Sequence, residues 1–262
     1  MEMENTLLKH VHKLNQIIKK LNANKEFTLD LLIILPLLCH IINNNFINSR
    51  EFEKLLSNES LNIKKLKYYR FTDFITISDK IENYLSELTD EIINLFPKNI
   101  DIQSIDFLLY EILINIYKHS RFKNAFLQII LYNNGENIDI CIFDNGIGIP
   151  GSFKEASMDF KNDSEAIFEA INGKTTDKEK YNLHGRGLNS TARITTLGFD
   201  GEMLIASKSG FCIITKNGAK TYENKNQING TFIILRLSNK KIDNIYDYLK
   251  YEKINKINEV LK

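Results

Sequence analysis

Residues 104–143 carry an apolar helix pattern followed directly by two strand patterns that a short turn joins. Ser104 is a candidate cap for a helix through IDFLLYEILINIYKHS, and the segments AFLQIILY and IDICIF flank the turn NNGEN. A helix that leads into a hairpin is not a βαβ unit. Three more apolar strands follow, MLIAS, FCIIT and GTFIILRL, and Lys208, Ser209 and Gly210 join the first two. We predict an α/β fold of the α+β sandwich type, with a mixed, largely antiparallel sheet covered by helices on one face.

Charge and cysteine usage narrow the functional classes. The 262 residues include 34 basic and 33 acidic side chains, for a net charge of +1, so no strong field attracts nucleic acid. Cys39, Cys141 and Cys212 are far apart and form no CxxC pair, which indicates neither a disulfide framework nor a zinc site. We therefore expect no nucleic-acid partner.

Targeting signals are not evident in the sequence. The first residues, MEMENTLLKHVHKLNQ, offer no basic region followed by an apolar run, as a secretory signal would. The longest apolar stretch, residues 29–42, is interrupted by Asp30, Pro36 and His40 and is too short to cross a bilayer of about 30 Å. We expect a cytoplasmic protein with no membrane span.

The chain divides into three predicted segments. Residues 1–97 form an N-terminal helical or small α/β unit, residues 98–238 form the sandwich, and residues 239–262 form a C-terminal amphipathic helix. Within the first unit, residues 1–22 predict an amphipathic helix that either packs within the chain or pairs with a second copy. Residues 78–95 predict a further helix, which Pro97 ends.

A polar stripe interrupts the apolar helix before the hairpin. Glu111, Asn115 and His119 are spaced i, i+4 and i+8, so each lies only about 40° around the helix from the last. Such a stripe is either a solvated face or a site. As a site, Asn offers a neutral oxygen that suits Mg²⁺, Glu can polarise water, and His can meet phosphate oxygens.

Three glycine-containing segments follow. DNGIGIP, residues 144–150, comes after a strand; it lacks the third glycine and following helix of a Rossmann motif, and no Walker lysine occurs. HGRGLNSTARIT places Gly185 and Gly187 before a helix whose N-terminus could face phosphate. Gly230 and Thr231 open the last strand. Taken singly, each segment is equally well explained as an ordinary turn or loop.

In this order, the four elements resemble the nucleotide-binding boxes of the GHKL superfamily, which includes gyrase, chaperones, histidine kinases and mismatch-repair proteins. Glu111-Ile-Leu-Ile-Asn115 with His119 resembles the N box, DNGIGIP the first glycine box, GRGL the second, and Gly230-Thr231 the terminal element. The resemblance covers residues 100–238. It implies a Bergerat-type domain that binds ATP and Mg²⁺.

The resemblance also implies roles for individual residues. Asp144 would accept a hydrogen bond from the adenine amino group, Asn115 would hold Mg²⁺, and Glu111 would activate water. Residues 151–184 would form a lid over the nucleotide. The other implied nucleotide-binding residues are His119, Gly146, Gly148, Thr175, Thr176, Gly185, Arg186, Gly187, Leu188 and Thr231.

What the ATP would be used for depends on the rest of the chain. His10, His12 and His40 are not followed by an acidic residue, so an orthodox sensor kinase is disfavoured. The mismatch-repair and chaperone types need a transducer domain after the ATPase, and the 24 or so residues after Leu237 leave little room for one. The remaining resemblance is to anti-sigma serine kinases and to stand-alone ATPases paired with STAS-like proteins, and residues 1–97 resemble a STAS-like unit.

We therefore expect a Mg-ATP-binding regulatory protein with slow hydrolysis or phosphotransfer coupled to a regulatory protein partner of the STAS-like or sigma/anti-sigma type. The alternatives are a protein kinase acting on Ser or His of a separate protein, and a nucleotide-gated scaffold that does not hydrolyse ATP.

Overall fold

A computed structural model describes residues 66–72, 89–90, 93–94, 96, 100–132, 137–176 and 186–257. Several predictions fall outside these residues, including the helix over 1–22, most of the helix over 78–95, and positions His10, His12, Cys39, His40 and Gly185. Within the described ranges, no helix is both long and apolar enough to cross a membrane.

The centre of the fold is an antiparallel sheet. Its described strands are β1 (Leu66–Thr72), β2 (Asn124–Tyr132), β3 (Asn137–Asp144), β4 (Glu202–Thr215) and β5 (Gly218–Ser238). They lie in the order β1-β2-β3-β5-β4, and every neighbouring pair is antiparallel. The predicted α+β class is confirmed. β1 comes from the predicted N-terminal unit, so residues on both sides of the expected boundary at 97 share one sheet.

Helices form a layer on one face of this sheet. They are α1 (Ile102–Asn115), α2 (Gly148–Glu155), α3 (Asp163–Ile171), α4 (Arg186–Arg193) and α5 (Tyr246–Leu249), and π-helical turns follow α1 at Ile116–Ser120 and α4 at Ile194–Gly198. One face of α1 is fully buried through Ile105, Leu108, Leu109 and Ile112, which join alternate strand residues in a single apolar core.

The other face of the sheet is buried as well. Cys141 and Phe143 on β3 alternate with core-facing isoleucines, yet both are 2% exposed or less. On the same face Arg236 of β5 donates two hydrogen bonds to the fully buried Asp139 carboxylate, at 2.9 and 2.8 Å. This bidentate pair supplies the partner that a buried charge needs.

Two local predictions near the sheet are wrong. The segments MLIAS and FCIIT are one bent strand, β4, whose pairing with β5 shifts register around Lys208–Gly210; the bend, rather than a turn, accounts for the break in the pattern. Helix α1 begins at Ile102 with Asp101 as its N-cap residue, and the Ser104 hydroxyl donates to Asp101 Oδ2 at 2.6 Å from inside the first turn.

The helix predicted over 239–262 is also wrong for the part that the structure describes. Only Tyr246–Leu249 are helical. The following residues are extended: the Ala219 N–H donates to the Asn255 carbonyl and the Ile257 N–H to the Ala219 carbonyl, both at 2.8 Å. Side chains and strand β5 satisfy backbone groups that a helix would have paired internally.

The segment 151–184, which the resemblance implies to be a lid, is not a bare loop in its described part. It contains most of α2 and all of α3. Ile167 and Ile171 of α3 are fully buried in the main core. Helix α3 is therefore part of the packed domain.

Candidate functional site

A cavity lies between the helical layer and the end of the sheet where β3 finishes. Apolar side chains from α1, β3 and β5 form its walls, among them Ile112, Ile142 and Ile233. Polar side chains line it from five parts of the chain, and Gly187 lines it from a sixth. The polar side chains are Glu111, Asn115, Lys118, His119, Ser120, Asp144, Ser152, Lys174, Thr175, Thr176 and Thr231. Segments far apart in sequence thus meet at one concave site.

Asp144 forms the acidic end of the cavity. It is the last residue of β3, it pairs with Thr231, and it is only 2% exposed. Its Oδ1 accepts a hydrogen bond from the Gly146 N–H at 2.9 Å. Burial raises the pKa of Asp144 from 3.8 to about 7, while hydrogen bonds and Lys208 act in the opposite direction. A carboxylate with so little water is suited to accept a hydrogen bond from a ligand.

Two glycines are required beneath this end. Gly148 and Gly230 have φ of +76° and +100°. A Cβ would lie 2.5 Å from Ser207 Oγ at Gly148, and 1.8 Å from the Asp144 carbonyl oxygen at Gly230. The Ser207 hydroxyl donates to the Gly230 carbonyl at 2.7 Å and accepts from the Ile149 N–H at 3.0 Å. Ser207 therefore ties the two glycine segments together.

Gly146 supports the site from behind and does not line the cavity. A Cβ there would lie 2.0 Å from the Ser120 carbonyl oxygen. The Ile147 N–H donates to the same carbonyl at 2.7 Å. Gly146 therefore lets the strand end approach the π-helical turn, and it shapes the pocket indirectly.

The sequence DNGIGIP leads directly into α2, which begins at Gly148, whereas no helix was predicted after it. Strand β3 still pairs antiparallel with both of its neighbours, so the arrangement is not a Rossmann βαβ unit.

The Glu111 and Asn115 part of the polar stripe forms the other end of the cavity, because Glu111 precedes Ser120, which contacts Asp144, by nine positions or about 13 Å along the helix. Glu111 and Asn115 lie in the last turns of α1, and both line the cavity. A Cβ on Gly187 would lie 2.7 Å from Glu111 Oε2 and 3.2 Å from Asn115 Nδ2, so the start of α4 packs against both side chains. The N-terminal end of α4 thus adds a partial positive charge beside a carboxylate and an amide.

Hydroxyl and basic groups lie next to this stripe. His119 Nδ1 is 3.1 Å from Thr176 Oγ1, which is 3.3 Å from Ser152 Oγ. Lys118 and Lys174 also line the cavity, and Lys174 Nζ donates to the Asp159 carbonyl at 2.8 Å. These groups can therefore accept an anionic group beside the neutral oxygen of Asn115.

The structure brings most of the predicted site residues together. Leu188 joins the other lining residues. Gly185 lies outside the described residues, and Arg186 begins α4. Sequence reasoning missed Lys118, Ser152, Lys174 and Ser207. Lys118 adjoins the polar stripe, which could have indicated it, whereas a single serine in an apolar strand carries no such signal.

The described residues do not provide a preformed metal cage, because no group of three or more His, Cys, Asp or Glu side chains among them could hold a metal ion. Among the oxygen-bearing side chains that line the cavity, Asn115 and Glu111 lie one helical turn apart and together offer an amide oxygen and a carboxylate. This donor set fits Mg²⁺, which keeps several waters and is bound through one or two protein groups plus substrate phosphates.

No protein-family model matches the chain, and no curated protein matches it.

Proposed function

We propose that the chain is a Mg-ATP-binding regulatory protein of the GHKL type, with slow hydrolysis or phosphotransfer coupled to binding of a regulatory protein. The observation that carries the proposal is the meeting of all four motif segments in one cavity. Asp144 lies at its acidic end, Thr231 beside it, and Glu111 and Gly187 at the other end.

The acidic end fits an adenine ring. The apolar walls suit a flat heterocycle, and a buried carboxylate suits its exocyclic amino group, which is a hydrogen-bond donor. Ionised Asp144 would accept that hydrogen bond. Thr231, directly opposite in the β3–β5 pairing, would fix the ring position.

The opposite end fits a triphosphate with its metal. Lys118, Lys174, His119 and the start of α4 supply positive charge and N–H donors. Asn115 would hold Mg²⁺, which supplies charge neutralisation for the transferred phosphoryl group.

Glu111 would act as the general base. It would take a proton from water as the water oxygen bonds to the γ-phosphorus, and the bond between that phosphorus and the β–γ bridging oxygen would break, with ADP leaving with the electron pair. The same carboxylate could accept the proton of a protein hydroxyl, which would make the chain a protein kinase.

Calorimetric titration of Mg-ATP into wild type and Asp144→Ala tests the proposal. We expect binding to wild type and its loss in the variant, while Glu111→Gln keeps binding and loses phosphate release. Absence of binding by folded wild type would reject the proposal.

The ATPase, the protein kinase and the scaffold are distinguished by what becomes of the γ-phosphate of ATP. Transfer of radiolabel from ATP to a separate regulatory protein would favour the kinase. Binding without phosphate release or transfer would favour a scaffold. A partner that binds equally well with and without ATP would reject the coupling.

A further inference from the structure

The last described part of the chain crosses the domain as a strap, defined here as residues 246–257. The Arg193 guanidinium of α4 binds its backbone: Nη1 donates to the carbonyls of Tyr248, at 3.1 Å, and of Lys250, and Nη2 lies 2.9 Å from the Glu252 carboxylate. The Arg193 side chain is only 7% exposed, so this attachment is largely shielded from water.

Asn189 attaches the strap to two helices at once. It lies on α4 and is fully buried. Its Nδ2 donates to the carbonyl of Ile171, the last residue of α3, at 2.9 Å and to the carbonyl of Glu252 at 3.0 Å. One amide therefore joins the end of α3, the start of α4 and the strap.

Asn172 makes a third attachment directly after α3. Its Oδ1 accepts a hydrogen bond from the Ile254 N–H at 2.8 Å, and its Nδ2 donates to the Ile254 carbonyl at 3.3 Å. The side chain thus pairs with the strap as a neighbouring strand residue would.

These attachments lie next to the cavity in sequence and in space. Asn172 precedes the lining residues Lys174, Thr175 and Thr176 by two positions, and Asn189 directly follows the lining residues Gly187 and Leu188. The attachment at Asn172 therefore adjoins the cavity wall at residues 174–176, and the attachment at Asn189 adjoins the wall at residues 187–188.

We propose that the strap fixes both of these wall segments, and that Asn172, Asn189 and Arg193 are positioning residues for the phosphate end of the site. The inference rests on the proposed function for the identity of the ligand. Adenine binding at Asp144 should not depend on the strap, because the residues that act on the Asp144 carboxyl, Ser120, Gly146, Lys208 and Thr231, lie outside both wall segments. Phosphate binding does depend on it, since an ångström of misplacement is costly at such a site.

The test compares Asn172→Ala and Asn189→Ala with Asn94→Ala in the full-length chain. Asn94 is exposed and donates to the Asp90 carbonyl at 2.9 Å, so its variant loses an amide hydrogen bond that does not involve the strap. Because Asn172 is only half-buried, we expect Asn172→Ala to fold, and it provides the test if Asn189→Ala does not fold.

Two readouts are needed. Hydrogen exchange without ligand follows peptides that contain residues 174–176 and 187–188, with peptides from β3 as the internal reference. Calorimetry then compares the dissociation constants of Mg-ATP and adenosine. In Asn172→Ala and Asn189→Ala we expect faster hydrogen exchange in the two wall segments and unchanged exchange in the β3 peptides. We also expect the dissociation constant of Mg-ATP to rise by about tenfold or more and that of adenosine to stay unchanged.

Exchange in the wall segments equal to that of Asn94→Ala would overturn the inference. Equal weakening of ATP and adenosine would also overturn it, because a general loss of structure affects both. If wild type binds neither ligand, the proposed function fails, while the exchange result still decides whether the strap fixes the wall segments.

Discussion

Asp144→Asn should reduce the loss of folding stability that wild type undergoes as pH rises. The same substitution should abolish nucleotide recognition. Folding carries the Asp144 carboxyl from water to a position that is 2% exposed. Burial raises its pKa from 3.8 to about 7, so the folded protein binds this proton more tightly than the unfolded chain does. Its contribution to stability is therefore retained at low pH and lost as pH rises from about 4 to about 7.

The size of the effect follows from the two pKa values. A shift from 3.8 to about 7 corresponds to about 4 kcal/mol over the whole titration, at 1.36 kcal/mol per unit. Between pH 5 and pH 8 the share lost is about 2.5 kcal/mol. An asparagine has nearly the same shape and does not titrate, so the variant lacks this loss.

Urea unfolding of wild type and Asp144→Asn at pH 5 and pH 8 measures the effect as a double difference. Between pH 5 and pH 8 the free energy of unfolding of the variant should rise by about 2.5 kcal/mol relative to that of wild type. The contributions of other titrating groups cancel in this difference because both proteins contain them. A relative gain below about 0.5 kcal/mol would refute the burial argument.

The affinity for adenosine should change with pH in the opposite direction to the stability contribution of Asp144: it should rise as pH rises. In the proposed complex adenosine would donate a hydrogen bond to the ionised Asp144 carboxylate, so its affinity for wild type should weaken about tenfold for each pH unit below 7. Calorimetry at pH 6 and pH 8 checks this, and pH-independent affinity would show that Asp144 is not the acceptor.

Two further substitutions test the other end of the site and the sheet. Gly187→Ala places a methyl group 2.7 Å from Glu111 Oε2; phosphate release should fall about tenfold or more with adenosine binding intact, and unchanged turnover would contradict the proposed base. Arg236→Met leaves Asp139 buried without its partner and should cost about 3 to 5 kcal/mol. Arg121→Met removes the exposed ion pair between Arg121 and Glu155 and should cost less than about 1 kcal/mol by the same urea unfolding.

The helix and the hairpin were predictable because their signals are local. Glu111 and Asn115 share a helix face by spacing alone, and Asp144 ends a strand whose alternation is visible in the sequence. Ser207 was not predictable, since its role depends on a contact with Gly230 that the β4–β5 pairing creates and on a contact with Ile149 that α2 brings to β4.

The strap illustrates the opposite limit. Residues 246–257 have helical spacing of their apolar side chains, and local propensity favoured a helix. Asn172, Asn189 and Arg193 instead bind the backbone of that segment from a distance of more than 50 positions in the chain. Tertiary hydrogen bonds of this kind override local preference and leave no periodic signal.

The pairing of Asp144 with Thr231 has a consequence for how this domain can change in length. Side chains alternate between faces along β3, so one inserted or deleted residue would exchange the positions of Asp144 and the neighbouring Phe143. A phenyl ring would then enter the cavity, and a carboxylate would move to the opposite, buried face. Gain or loss of one residue in β3 would therefore remove the Asp144 carboxylate from the cavity in a single step, whereas a change of two residues would keep it on the cavity face.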